Sequence, residues 1–156
     1  MKTTAIIFDL DGTLADSSSC IVAAAQSTRE ILKLQEIQDD AVRSKIGQPL
    51  GEMLGTLFNI DGPILQAAVQ EYSKEYVRLA ASKEILFEGT LPILRVLKNA
   101  GFKLAIATGK SQRGADRATE RLGLRPWFDS IHGILPNTPG KPDPAVLVRA
   151  MDALGE

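Results

Sequence analysis

The chain has 156 residues, of which 44% are hydrophobic and 24% charged, enough for one good core or for two small modules that share an interface. Eighteen basic and nineteen acidic residues leave a formal net charge of −1, so the overall charge favours neither nucleic acid nor a membrane surface as a partner. Cys20 is the only cysteine and His132 the only histidine, which excludes an intramolecular disulfide and metal sites made of several Cys or His ligands. A metal would need oxygen ligands.

No apolar run approaches the length of a membrane span or of a signal-peptide core. The first run, Ala5 to Phe8, is interrupted at once by Asp9. We therefore expect a cytoplasmic protein.

The first predicted element is a strand over residues 4–8, a short apolar run that is typical of a strand buried on both faces in a parallel sheet. Residues 17–82 then show helical periodicity throughout and no strand pattern. Within that block, Gly47-Gln48-Pro49 and Asn59-Ile60-Asp61-Gly62 are turn segments between helices. The sequence therefore predicts an all-helical insertion after the first strand.

Beyond Gly89 the pattern alternates between helix and strand. The predicted elements are a helix over 90–100, a strand over 104–107, a helix over 113–122, a weaker strand over 129–134 and a helix over 144–154. Strands that alternate with helices imply right-handed βαβ units, so we expect an α/β fold with a parallel sheet. The predicted domains are an α/β core over 1–16 and 83–156 and a helical cap over 17–82.

Asp9 and Asp11 directly follow the first predicted strand, where ligands bind in open parallel sheets. Residues i and i+2 of an extended backbone share a face, so both carboxylates would reach one cleft, where they need a hard cation or a proton to lie close together. An EF-hand calcium loop is excluded, because its glycine and glutamate positions hold Leu14 and Cys20. A structural turn with surface acids is the other alternative.

Thr108-Gly109-Lys110 follows the second buried strand. A hydroxyl and backbone amides at a strand-to-helix junction can donate hydrogen bonds to phosphoryl oxygens, although Thr at such a place is also a common helix cap. Lys110 is interpreted as an exposed lysine, with attraction of a substrate as its alternative role.

Lys141 lies between Gly140 and Pro142, at the start of the last predicted helix. A lysine held there can neutralise charge on a phosphoryl group and on a carboxylate nucleophile together. The alternative is a solvated turn, since Lys-Pro pairs are common.

The segment Phe8–Asp16 resembles the first signature of the haloacid-dehalogenase superfamily in its phosphatase form. Thr108 resembles the second motif of that superfamily and Lys141 the third, in the same order. The resemblance is nearest to phosphoglycolate-phosphatase-like members and implies a Rossmann-like core with a helical cap. For Asp16, a functional role and a capping role at the helix that starts near Ser17 both stay open.

This resemblance implies that Asp9 is a nucleophile and Asp11 a general acid/base. It also implies Mg²⁺ as the cofactor, bound by the Asp9 carboxylate and the Asp11 backbone carbonyl. Catalytic roles then fall on Asp9, Asp11, Thr108 and Lys141. The implied contacts to the substrate phosphate come from Leu10, Gly12, Thr13, Thr108, Gly109 and Lys141.

The superfamily's fourth motif, an acidic pair on a further strand, has no counterpart here, since Asp143 and Asp152 do not fit its position. From this we expect that the C-terminal strands of the sheet are missing, that Mg²⁺ binding and turnover are weakened, and that the free edge of strand one promotes self-association. The resemblance nevertheless predicts a phosphatase of small phosphorylated metabolites that works through an aspartyl-phosphate. The alternatives are a sugar-phosphate mutase and a non-catalytic module that binds phosphate compounds or a partner.

Two structural expectations follow. Asp9, Asp11, Thr108 and Lys141 should converge on one cleft, because each follows a predicted strand of one sheet. The helical block 17–82 should act as a lid over that cleft, with hinges near Asp16 and near 83–88.

Overall fold

The structure is a computed structural model that describes residues 4–155. The chain forms two compact units, one from Met1–Ala15 and Leu86–Glu156 and the other from Asp16–Ile85. In chain order the elements are β1 (Ala5–Phe8), β2 (Ala15–Asp16), α1 (Ser18–Leu32), α2 (Asp39–Arg43), α3 (Leu50–Phe58), α4 (Gly62–Lys83), β3 (Ile85–Leu86), α5 (Thr90–Asn99), β4 (Lys103–Ser111), α6 (Gln112–Arg121), a 3-10 turn (Arg125–Trp127), β5 (Ser130–Ile134) and α7 (Ala145–Leu154).

The first unit contains a parallel sheet of order β1-β4-β5. Phe8 pairs with Ile106 between β1 and β4, and Ala107 pairs with His132 between β4 and β5. β2 and β3, two residues each, pair in a separate small sheet that the sequence did not predict. The predicted α/β fold with a parallel sheet and a helical insertion after the first strand is confirmed.

The strand β1 departs from its prediction in burial. All four of its residues are half-buried, whereas the continuous apolar run predicted burial on both faces. The reason is its place in the sheet, since β1 lies at the edge of the three strands that the described residues form. Self-association through this edge stays a prediction.

The alternating side chains of β4 divide the core of the first unit between the two faces of the sheet. Leu104 and Ile106 pack into one buried cluster with helices α5 and α6, and Ala105 and Ala107 pack into another with α7. This arrangement places the carboxyl ends of β1 and β4 side by side, where the candidate residues follow.

The second unit has its own core, formed by the apolar faces of α1, α3 and α4 and by Val42 of α2. Its buried residues include Ala24, Ala25, Leu54, Ala68 and Tyr72. No helix within residues 4–155 is both long and apolar enough to cross a membrane.

Candidate active site

Asp9 lies one residue beyond β1 and contacts a lysine from the far end of the chain. Its Oδ1 accepts a hydrogen bond from the N–H of Leu10 at 2.7 Å and lies 3.2 Å from Nζ of Lys141. Both side chains are about one third exposed, at 32% for Asp9 and 33% for Lys141. The pair is therefore fixed by a contact yet open to a ligand.

The turn before α7 brings Lys141 to Asp9. The N–H of Asp143 donates to the carbonyl of Gly140 at 3.0 Å, and the Asp143 carboxylate accepts the N–H of Ala145 at 2.8 Å. The Asp143 carboxylate thus accepts the first N–H of α7 from the residue before the N-cap, Pro144.

Asp11 forms a second ion pair in the same unit. Its Oδ1 lies 3.1 Å from Nζ of Lys110, and the two side chains are only 8% and 14% exposed. The interpretation of Lys110 as an exposed lysine is wrong. No local pattern indicated this, because residues 108–110 lie in an irregular stretch of β4, where the alternation of side chains in a regular strand does not apply.

Thr108 is completely buried near the end of β4, and its Oγ1 accepts the N–H of Lys110 at 3.3 Å. Gly109 is buried as well. The alternative role of Thr108 as a helix cap does not hold, because Ser111 is the N-cap of α6 and its Oγ accepts the N–H of Gly114 at 3.2 Å. The Thr108 hydroxyl therefore does not cap α6.

The loop after Asp11 is closed by hydrogen bonds between its own backbone groups. Gly12 adopts a positive φ of 75°, which glycine tolerates without strain, and its N–H donates to the carbonyl of Ala15 at 2.9 Å. The N–H groups of Thr13, Leu14 and Ala15 all donate to the carbonyl of Leu10, at 3.3, 3.0 and 3.0 Å. Binding of phosphate by Leu10, Gly12 and Thr13 stays a prediction. Their N–H groups already donate to oxygens of this segment, so they would have to donate to phosphate in addition or instead.

Asp16 belongs to the other compact unit. Its Oδ1 accepts the N–H of Ser18 at 3.4 Å, at the start of α1. The N-cap residue of α1 is Ser17, so Asp16 contacts the start of that helix from one residue further out, and both roles of Asp16 stay predictions.

Oxygen ligands for a metal are present at Asp9 and Asp11. The described residues contain no group of three or more Cys, His, Asp or Glu side chains arranged to hold a metal ion. Mg²⁺, however, is commonly bound by one or two carboxylates together with water and substrate phosphate. The donor chemistry of Asp9 and Asp11 fits such a site.

A cavity of about 370 Å³ lies beside the Asp9–Lys141 pair. Apart from Asp9, Lys141 and Asp143, its lining is apolar and comes from β1, β4, the turn before α7 and the first turn of α7.

Residues 6–156 match the haloacid dehalogenase-like hydrolase family. The chain belongs to this family. The superfamily inferred from the three motifs is thereby confirmed.

Relatives in this family include proteins named as phosphatases. The chain is 34% identical to the probable phosphatase IndB of Dickeya dadantii over 155 residues, covering 96% of this chain and 67% of IndB. It is 30% identical to the phosphoglycolate phosphatase of Aquifex aeolicus over 155 residues, covering 97% of this chain and 70% of that enzyme. The predicted similarity to phosphoglycolate phosphatases is therefore confirmed.

A solved structure of a similar protein has the same fold. A crystal structure of a haloacid dehalogenase-like hydrolase from Bacteroides fragilis superimposes with a TM-score of 0.88 at 36% identity, covering 99% of this chain and 74% of that one. The α/β architecture is thus a fold that the family shares.

The chain spans only part of the length of its relatives. It covers 43% of the tyrosine-protein kinase PtkA of Mycobacterium tuberculosis, to which it is 31% identical over 128 residues. The activities of these longer proteins are therefore not assigned to this chain by similarity alone.

Proposed function

We propose that this protein is a magnesium-dependent phosphatase of small phosphate monoesters that works through an aspartyl-phosphate on Asp9. Its family and its relatives named as phosphatases support a phosphoric monoester hydrolase. The observation that carries the proposal is the contact of 3.2 Å between Asp9 Oδ1 and Lys141 Nζ at the carboxyl end of β1. A carboxylate nucleophile and a cation for the phosphoryl group then lie side by side.

In the first half of the reaction, a carboxylate oxygen of Asp9 attacks the phosphorus atom. The bond between phosphorus and the leaving oxygen breaks, and Asp11 gives that oxygen a proton. In the second half, Asp11 takes a proton from a water molecule, whose oxygen displaces the phosphoryl group from Asp9. The two steps release an alcohol and inorganic phosphate and restore both carboxyl groups.

Lys141 serves the first half in two ways. Its ammonium reduces the repulsion between the Asp9 carboxylate and an approaching dianionic phosphate. It also remains beside the phosphoryl group while charge is redistributed in the transition state. Mg²⁺, when held by the Asp9 carboxylate and the Asp11 carbonyl, would add positive charge to the phosphoryl oxygens.

The proposed substrates are small phosphorylated metabolites. The relative named as a phosphoglycolate phosphatase makes phosphoglycolate the first compound to assay, with a hexose phosphate beside it. We propose that the protein acts in the cytoplasm, where such metabolites are abundant.

The test compares phosphate release by the wild type, Asp9→Asn and Asp152→Asn, each with Mg²⁺ and with a chelator. Asp152 is an exposed carboxylate on α7 in the same unit, so its substitution controls for loss of one negative charge. We expect Asp9→Asn to abolish the Mg²⁺-dependent rate and Asp152→Asn to retain it. Equal rates in the wild type and Asp9→Asn would overturn the proposal.

A further inference from the structure

We propose that Lys110 is a further residue of the site, which positions the carboxyl group of Asp11 for proton transfer. The inference rests on the proposed phosphatase function and adds a role that the three sequence motifs do not contain. Lys110 itself is a positioning residue, since it acts through Asp11.

The first observation is the enclosure of the pair. Lys110 and Asp11 are 14% and 8% exposed, against about one third for Lys141 and Asp9. A charged pair so far removed from water is held in one geometry, because separating its partners would leave a desolvated charge without compensation. An ammonium 3.1 Å from Oδ1 therefore restricts rotation of the Asp11 carboxyl group.

The second observation is an irregularity in β4. Ala107 pairs with His132 and Ser111 pairs with Ile134, so four steps along β4 correspond to two along β5. Three residues of β4, Thr108, Gly109 and Lys110, thus lie between partners that only Gly133 separates in β5, a surplus of two residues. Such a bulge changes the direction of side chains beside active sites, and here it carries both Thr108 and Lys110.

The third observation is the close support of this bulge by β5. A Cβ on Gly133 would lie 2.7 Å from both the carbonyl oxygen of Lys110 and the nitrogen of Gln112, so only glycine permits the approach. The Gln112 side chain accepts the N–H of Gly133 at 2.8 Å and donates to the carbonyl of Ile131 at 3.1 Å. The backbone that follows Lys110 therefore packs closely against β5, and the side chain of Gln112 is hydrogen-bonded to that strand.

The stem of Lys110 is supported too. A Cβ on Gly114 would lie 3.6 Å from Cβ and 4.0 Å from Cδ of Lys110, so the lysine stem runs beside the first turn of α6. The fixed backbone after Lys110 and the passage of its stem beside α6 limit the positions that its ammonium can take, which favours precise orientation of Asp11.

The chemical consequence concerns the leaving group. An alkoxide leaves poorly unless Asp11 gives it a proton as the phosphorus–oxygen bond breaks, whereas a nitrophenolate leaves without one. Since kcat/KM reports the steps up to departure of the leaving group, loss of Asp11 orientation should affect an alkyl phosphate and leave an aryl phosphate almost unchanged.

The experiment measures kcat/KM of Lys110→Met for an alkyl phosphate and for p-nitrophenyl phosphate. General acid catalysis contributes about 10²–10⁴-fold, so we expect a loss of about tenfold or more on the alkyl substrate and of less than about threefold on the aryl one. Lys110→Arg keeps a cation and should retain more alkyl activity than Lys110→Met. If Lys110→Met does not fold, the same ratio is measured in Lys110→Gln, which also removes the cation but keeps a polar side chain.

The matched control is Lys74→Met. Lys74 pairs with Glu71 at 2.9 Å but is 70% exposed, on the helix α4 of the other unit, and its substitution should change neither substrate's kcat/KM. Equal losses on both substrates in Lys110→Met, or a change in KM alone, would overturn the inference. Either result leaves the proposed function intact as long as Asp9→Asn is inactive, whereas an active Asp9→Asn refutes the function itself.

Discussion

Lys141 Nζ lies 3.2 Å from Asp9 Oδ1, although 132 positions separate the two residues in the chain. The contact joins the end of β1 to the turn that begins α7. Asp11, two residues further along the chain, forms a second pair with Lys110, so each carboxylate of the first motif has its own cation.

We expect Lys141→Met to lower kcat/KM by about 10²–10³-fold, because the loss of one preorganised donor to a transferring group costs about that much. Unlike Lys110→Met, it should affect alkyl and aryl phosphates alike, since the charge on the phosphoryl group is the same in both. The partly exposed pair adds less than about 1 kcal/mol to stability, so the melting temperature should change little. Rates unchanged on both substrates would refute the role of Lys141.

Gly133→Ala should destabilise the protein by about 1–3 kcal/mol, because its Cβ must push against the backbone of Lys110 and Gln112. It should lower phosphatase activity as well, through displacement of Lys110. The control is Gly51→Ala in α3, where a Cβ meets no atom within 4 Å among the described residues. Urea unfolding of the two variants tests this, and an equal stability of both would contradict the close approach.

Asp129 links β4 to α5. Its carboxylate accepts the N–H of Leu104 at 2.7 Å and contacts Lys98 at 3.0 Å. The hydrogen bond from the N–H of Leu104 is the main cause that holds the pKa of Asp129 below its ordinary value of 3.8. Lys98 lowers the pKa further, and burial opposes both. The resulting stability is therefore present above pH 3.8 and is lost as the pH falls through the lower pKa of the folded state.

We expect Asp129→Ala to cost about 1–2 kcal/mol, after allowance for its partial exposure, and Lys98→Ala less than about 1 kcal/mol. The backbone bond to Leu104 survives in the second variant and is lost in the first. Urea unfolding near neutral pH separates them. Equal costs would mean that the ion pair, and not the bond to Leu104, is the main contribution.

His132 should make the protein sensitive to mild acid. Within residues 4–155, neither of its buried ring nitrogens has a hydrogen-bond partner. Burial is the main cause that lowers the pKa of His132 below its ordinary value of 6.5, and the positive charge of Arg149 lowers it further. The unfolded chain then binds a proton that the folded chain does not, so stability falls as the pH drops below 6.5.

His132→Phe keeps a ring of similar shape without a titrating group. We expect its free energy of unfolding to vary less between pH about 7.5 and about 5.5 than that of the wild type. Urea unfolding across that range is the measurement. Parallel pH dependences in the two proteins would show that His132 is not responsible.

Much of this fold could be predicted from local patterns. The apolar runs at 4–8 and 104–107 and the helical stripes between 17 and 82 depend on nearby residues alone, so periodicity was enough to find them. The order of Asp9, Thr108 and Lys141 along the chain indicated the family through its resemblance to the order of the superfamily's motifs.

The pairing of Lys110 with Asp11 could not be predicted, because it depends on the register between β4 and β5. Ser111 rather than Thr108 caps α6, a difference of three positions that periodicity does not resolve. The half-burial of β1 follows from its place at the edge of the described strands, which a single run of apolar residues does not encode.

The most direct test of the account looks for the phosphoryl group on Asp9. The protein is mixed with Mg²⁺ and a phosphate monoester, quenched in acid during turnover, digested and analysed by mass spectrometry. We expect the peptide that contains Asp9 to carry the mass of one added phosphoryl group, and the modification to be absent from Asp9→Asn and present in Asp152→Asn. Turnover of substrate with no phosphorylated Asp9 peptide, or the same modification in Asp9→Asn, would contradict the aspartyl-phosphate mechanism.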